Sequence, residues 1–223
     1  MTPFYPWPGC DKMSGMRNAV LTGFLVALFA LAAAGNAAAY DNDTYFEVAN
    51  AILAGEPMLE DFASLREAYA RTSWYNPVPD RTSLEPLDQA LETGDLETAN
   101  DFINSNYFYF MPIIDFHLTA MATYRELGDT QTHEWHEWFL QRLLDSIFES
   151  GDGESAETAF FSVYEREHFI VLEIMGLEPR DRREVSSGER LLYIYEAVDE
   201  TGETRDIHFD FTVAEEWRAR EAE

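Results

Sequence analysis

The sequence is poor in the residues that carry much of covalent and anion-binding chemistry. Its 223 residues include one cysteine, Cys10, and one lysine, Lys12. Everything after residue 12 is therefore free of thiols, which excludes disulfides, cysteine nucleophiles and thiolate-bound zinc there. No Gly-x-Ser-x-Gly elbow occurs, and no glycine-rich loop ends in Gly-Lys-Ser or Gly-Lys-Thr, so serine-hydrolase and P-loop readings lack their signatures. Positive charge is scarce as well: 15 Lys+Arg face 42 Asp+Glu, a net charge of -27. Phosphate binding needs clustered Lys and Arg, so a nucleic-acid partner is excluded on sign. What the chain does have is 46% hydrophobic and 14% aromatic residues. That is enough apolar material to bury a core, unlike an acidic disordered tail.

The first 39 residues read as a leader outside the fold. Lys12 and Arg17 precede an apolar run from Ala19 to Ala34, and the stretch from Gly35 to Ala39 ends in small residues. Charge, apolar run and small-residue end are the three parts of a secretory signal peptide, with cleavage expected after Ala39. Met13 or Met16 is an alternative start, because the residues before them suit no signal n-region. No second apolar run of spanning length follows, so no membrane span is expected once the leader is removed. Taking Asp11, Lys12 and Arg17 away leaves 13 bases, all arginine, against 41 acids over 184 residues. Such a surface suits a salty exterior that screens self-repulsion, and codon bias toward arginine would explain the missing lysine equally well.

The remainder reads as α+β, N-terminal antiparallel helical hairpins followed by a small antiparallel β-sheet. The spacing predicts a helix capped by Asp43 or Thr44 and running through Leu53 to a stop at Gly55, and another capped by Asp61 that carries Phe62, Leu65, Ala68 and Tyr69. A proline loop spans Asn76 to Asp80. Ser83 opens a helix with Pro86 in its first turn, closed by Gly94, and Asp95 caps a segment to Asn104. Two longer helices meet at Leu127-Gly128-Asp129, the glycine as stop and the aspartate as cap. In them Ile113, His117, Ala120 and Tyr124, then His136, Leu140, Leu143 and Ile147, fall at helical spacing. A turn that short forces an antiparallel hairpin, which puts His117 within about one helical turn of His136. After Ser150 the period changes. Strands are expected over 160–164, 191–198 and 206–211, with a hairpin turn at Glu200-Thr201-Gly202-Glu203 and short helices over 167–175 and 213–220. The expected organisation is residues 1–39 as leader, 40–150 as helical lobe and 151–223 as β lobe, the last two in one domain.

Leu87-x-x-Ala90-Leu91-x-x-Gly94-Asp95-x-x-x-Ala99 resembles the core of a tetratricopeptide repeat, and Leu118-x-x-x-Ala122-x-Tyr124-x-x-Leu127-Gly128-Asp129 resembles the start of another. The two Gly-Asp pairs stand 34 residues apart, the period of that repeat. Over most of the chain beyond residue 39 the sequence resembles a family of exported bacterial proteins known as domain of unknown function four-nine-one-nine. The stretches that carry the resemblance are Asp61 to Arg66 with Tyr69 and Tyr75-Asn76-Pro77, then His117, His136 and Leu143 to Ile147. Ser150-Gly151-Asp152-Gly153-x-Ser155-x-Glu157-Thr158-Ala159-Phe160, Thr201-Gly202-Glu203 and Phe209-Asp210-Phe211 complete it. Phe160, His168 and Tyr193 depart from it, where tyrosine, an acid and aspartate are expected. The resemblance implies an envelope location and a tetratricopeptide-like helical part, and it supplies no reaction.

Candidate ligand-binding residues are His117 and His136 on facing helices, with Arg66, Tyr69, Asp152 and Glu157 from the family-like stretches. An alternative makes His117, His133 and His136 metal ligands and Glu137 the general base of a metal-dependent hydrolase, because His133, His136 and Glu137 share one side of a helix. Those histidines stand three apart, not four as in His-Glu-x-x-His. In the competing reading His117 and His136 sit in apolar stripes and bond to each other or to backbone. Asp152 and Glu154 have the oxygens of a calcium loop without its spacing, and a helix end followed by a turn accounts for Gly151 and Gly153. Arg66 either pairs with Asp61 at the surface or anchors a buried carboxylate. The expected function is a periplasmic or secreted non-enzymatic module that binds a peptide, protein or small ligand and needs no cofactor. A structural envelope factor whose acidic face holds divalent cations loosely is the third reading.

Overall fold

Helix capping sets the plan of the N-terminal half. A computed structural model describes residues 40–55, 59–77 and 84–222; the leader, most of the proline loop and Ser83 fall outside them. Six helices come first: α1 (Asn42–Ala54), α2 (Leu59–Tyr69), α3 (Glu85–Thr93), α4 (Leu96–Phe110), α5 (Ile114–Leu127) and α6 (Thr130–Phe148). Asp41, not the expected Asp43 or Thr44, caps α1 by accepting the Thr44 amide at 3.0 Å. Asp61 is not a cap, because α2 has already begun at Leu59.

The turns from α3 to α4 and from α5 to α6 are the same device repeated at a 34-residue interval. Gly94 and Gly128 are left-handed, with φ of 73° and 72°, the conformation that ends a helix most cheaply at glycine. The next residue's amide turns back to the Ala90 carbonyl in one case and to the Tyr124 carbonyl in the other. Asp95 then accepts the amide and hydroxyl of Thr98, and Asp129 those of Thr132. Helix α4 runs six residues past the expected end, since Ala99, Ile103 and Tyr107 continue one buried stripe.

The second half holds β1 (Phe160–Phe161), α7 (Arg166–Ile174), β2 (Glu178–Ser187), β3 (Arg190–Val198), β4 (Thr204–Asp210) and α8 (Thr212–Glu221). The sheet order is β1-β4-β3-β2. Strands β3 and β4 form the expected antiparallel hairpin, β2 adds to β3 as an antiparallel strand that was not expected, and β1 lies parallel to β4. The strand expected to Tyr164 stops at Phe161 because the Val163 amide is taken by the Glu167 carboxylate, 2.8 Å away. The outcome is an α+β fold with a mixed sheet. One sheet face presents Tyr193, Tyr195, Ile207 and Phe209 to a core shared with the helices, and α7 lies against it through His168. The other face carries a satellite cluster of Ala159, Leu192 and Ile194, covered by the segment after α6.

Candidate functional site

The α5–α6 hairpin brings His117 and His136 together. Their Nδ1 atoms are 3.0 Å apart, and His117 Nε2 lies 2.8 Å from the Met111 carbonyl. A carbonyl only accepts, so His117 carries its proton on Nε2 and its Nδ1 accepts from His136 Nδ1–H. Both rings are then neutral. His136 Nε2 is left as a lone pair with no partner, buried among Tyr107, Phe116 and Tyr124, the last stacked on it at 5.5 Å. Burial lowers the pKa of His117 to about 4. Burial, and then the charges of His117 and His133, lower that of His136 to about 2.

His133 and Glu137 do not join this pair. His133 donates Nδ1–H to the Met121 carbonyl at 2.8 Å, and Glu137 faces solvent. Among the described residues no group of three or more His, Cys, Asp or Glu is placed to hold a metal ion. The donor set of the alternative hydrolase is therefore not gathered by this geometry.

Arg66 is the largest fully buried side chain, and its partner is Glu167, 101 residues away, not Asp61. Nη2 donates to Glu167 Oε2 at 2.9 Å and to the Phe161 carbonyl at 2.8 Å. The same carboxylate oxygen receives the Val163 amide, so one ion pair ties α2, β1 and α7 together. Arg66 Nε and Nη1 and Glu167 Oε1 have no protein partner. Burial pushes the Glu167 carboxyl up, against the pull of Arg66 and the backbone amides. Tyr69 is buried beside this centre between Tyr45 and Tyr75, and its own burial holds its hydroxyl well above the usual range.

A third buried group was not among the candidates read from the sequence. Ser162 Oγ lies 2.7 Å from His168 Nε2, and His168 Nδ1 lies 3.2 Å from the Tyr195 hydroxyl. A hydroxyl against an oriented imidazole is the geometry of an activated nucleophile. Here both side chains are fully buried, and burial lowers the His168 pKa to about 3, which makes it a weak base without access to substrate. The only hint was His168 standing where an acid was expected; the acid of this turn is its neighbour Glu167.

Asp152 and Glu157 lie elsewhere, in the exposed segment after α6. Asp152 Oδ1 accepts the Glu154 amide and the Thr158 hydroxyl, which hold its carboxyl below the usual range. Glu157 is lowered by its own backbone amide and the Ser155 hydroxyl. A Cβ on Gly151 would come 2.2 Å from the Thr158 carbonyl, and one on Gly153 would strike the Phe160 ring at 2.5 Å. The Ser-Gly-Asp-Gly stretch is thus a close-approach turn. Ser150 Oγ donates to the Ile147 carbonyl and accepts the Phe161 amide, joining the end of α6 to β1. This segment meets the Arg66 centre at Phe161, whose amide donates to Ser150 and whose carbonyl accepts from Arg66, and no hydrogen bond or ion pair among the described residues joins the histidine pair to either.

Among the described residues, open clefts include the following two. One, of about 560 Å³, is lined by Asp152, Glu154, Arg205, Asp206 and His208. The other, of about 500 Å³, lies between α7 and the β3–β4 turn. No helix among the described residues is long and apolar enough to cross a membrane.

No curated protein and no solved structure matches the chain. A family model described as Domain of unknown function (DUF4919) matches residues 58–215. That span takes in α2 to the start of α8 and all three buried polar centres, and by it the chain belongs to this family of unknown function.

Proposed function

We propose that the protein is an exported, non-catalytic binding module that meets its partner in the cell envelope through its surface. One observation carries the reading: the pairs with the chemistry of catalysis, His117 with His136 and Ser162 with His168, are sealed in the core and spent on internal hydrogen bonds. Catalysis needs a nucleophile or base that reaches substrate, and these do not. The leader-like residues 1–39 and the family resemblance support export. The twice-used Gly-Asp turn, in a 34-residue period, supports a helical part built as repeats for protein contact.

Treatment of the purified chain with a fluorophosphonate tests the central point. Intact-mass analysis is expected to show no adduct on folded protein, and stoichiometric labelling of Ser162 in the folded state would overturn the reading. Sequencing the N-terminus of protein recovered from the expressing cell tests export, with Tyr40 expected as the first residue.

A further inference from the structure

We propose that the cleft between α7 and the β3–β4 turn docks a short basic peptide segment of a partner protein, one that alternates cationic and aliphatic side chains. The inference rests on the binding-module reading above and names its site and partner chemistry. Helix α7 buries Val171 and Leu172 on its inner side, yet Phe169 is 43% exposed and Ile174 53% exposed. A single exposed apolar side chain is ordinary on a protein surface, and what sets Phe169 apart is the cleft that it lines. Phe169 lines the cleft and packs edge-to-face with Tyr195, ring centroids 5.7 Å apart.

Around it the lining is acidic: Glu173, Glu178, Asp199 and Glu200, with no cationic residue among the lining side chains. Arg180 reaches Glu178, and Asp199 is occupied in capping its turn. Glu173 and Glu200 form no ion pair among the described residues. An aromatic floor flanked by carboxylates without partners fits an ammonium or guanidinium on an aliphatic stem, the stem lying on the ring and the head at the rim.

Charge also removes other occupants. A second copy of a chain with net charge -27 would bring like charge to the rim, and nucleic acid or an anionic bilayer would be repelled in the same way. Strand addition is disfavoured here too. Pro179 supplies no amide, and the register of β2 shifts between Pro179 and Asp181. Recognition is therefore by side chains.

The test is fluorescence anisotropy of the purified chain with a labelled Lys-Leu-Lys-Leu-Lys-Leu peptide, and with a Lys-Ser-Lys-Ser-Lys-Ser peptide of equal charge. The alternating peptide is expected to bind saturably and the serine peptide at least about tenfold more weakly, with Phe169→Ser erasing the difference. Glu173→Gln with Glu200→Gln is expected to weaken binding and flatten its salt dependence, while Leu118→Ser, on α5, changes nothing. Equal binding of the two peptides, or a Phe169→Ser variant that binds like the parent, would overturn the proposal by showing nonspecific attraction to an acidic surface. Absence of binding would overturn it as well. The wider reading is tested separately, by Ser162 labelling in the folded chain and by the N-terminal sequence.

Discussion

At the residue scale, buried polar pairs hold this protein together. Arg66→Met leaves the Glu167 carboxylate buried without its counter-charge, and the expected loss is about 3–5 kcal/mol by urea denaturation. The double variant Arg66→Met, Glu167→Leu removes the stranded charge but still orphans the Phe161 carbonyl and the Val163 amide, so it recovers only part of that loss. An equal loss in both would show that the stranded carboxylate carries no penalty of its own. The three buried histidines set a pH dependence. Burial lowers the folded pKa of His117 to about 4, of His136 to about 2 and of His168 to about 3, while the unfolded chain takes up these protons near pH 6.5. A depressed histidine leaves stability intact above about pH 6.5 and removes it as pH falls below that value, continuing until the native ring titrates. Each such histidine costs about 1.4 kcal/mol per pH unit in that window. Urea midpoints measured in about 0.5 M salt, where surface charge is screened, should fall steeply between pH 7 and 5; a flat profile would contradict the neutral assignment of the rings.

At the element scale, turns and caps decide where helices and strands stop. Gly151→Ala places a methyl against the Thr158 and Ala159 carbonyls and should cost more than about 3 kcal/mol. Gly94→Ala meets open space and suffers only its left-handed backbone, about 1 kcal/mol. Equal effects in thermal melts would mean that the segment after α6 is not packed as described. Asp129→Ala, which removes a cap made to both the amide and the hydroxyl of Thr132, should cost about 1 kcal/mol. These elements were also the most legible in the sequence, because glycine stops and aspartate caps act over three or four residues. The contact of His117 with His136 was legible for the same reason: a two-residue turn leaves little freedom in pairing. Strand β2 was not legible. Its ten residues include three arginines, an aspartate and two glutamates, with Val185 as the one β-branched residue, and only the pairing with β3 makes it a strand. Ser162, Glu167 and His168 were not read as a buried polar centre, since their contacts with Asp210, Arg66 and Tyr195 reach 27 to 101 residues along the chain. No local pattern reports a contact of that range.

At the scale of the whole molecule, a net charge of -27 works against the compact state, and the hydrophobic core from α1 to α8 opposes it. Raising salt from about 10 mM to about 1 M shortens the Debye length from about 30 Å to about 3 Å, so the midpoint of thermal unfolding should rise by several degrees. A midpoint that falls instead would mean that the surface ion pairs, such as Arg190 with Asp210 and Arg166 with Asp115, outweigh the repulsion. The proposed function separates two tasks: buried polar groups and aromatic rings maintain the fold, and the acidic exterior with its apolar α7 face is the surface proposed for a partner. Peptide affinity in His136→Phe tests that separation most directly. This variant orphans His117 Nδ1 and should lose about 1–3 kcal/mol of stability, while the folded protein binds the Lys-Leu peptide within about twofold of the parent. A variant that keeps its near-ultraviolet circular dichroism but no longer binds would place function at the histidine pair and contradict the account.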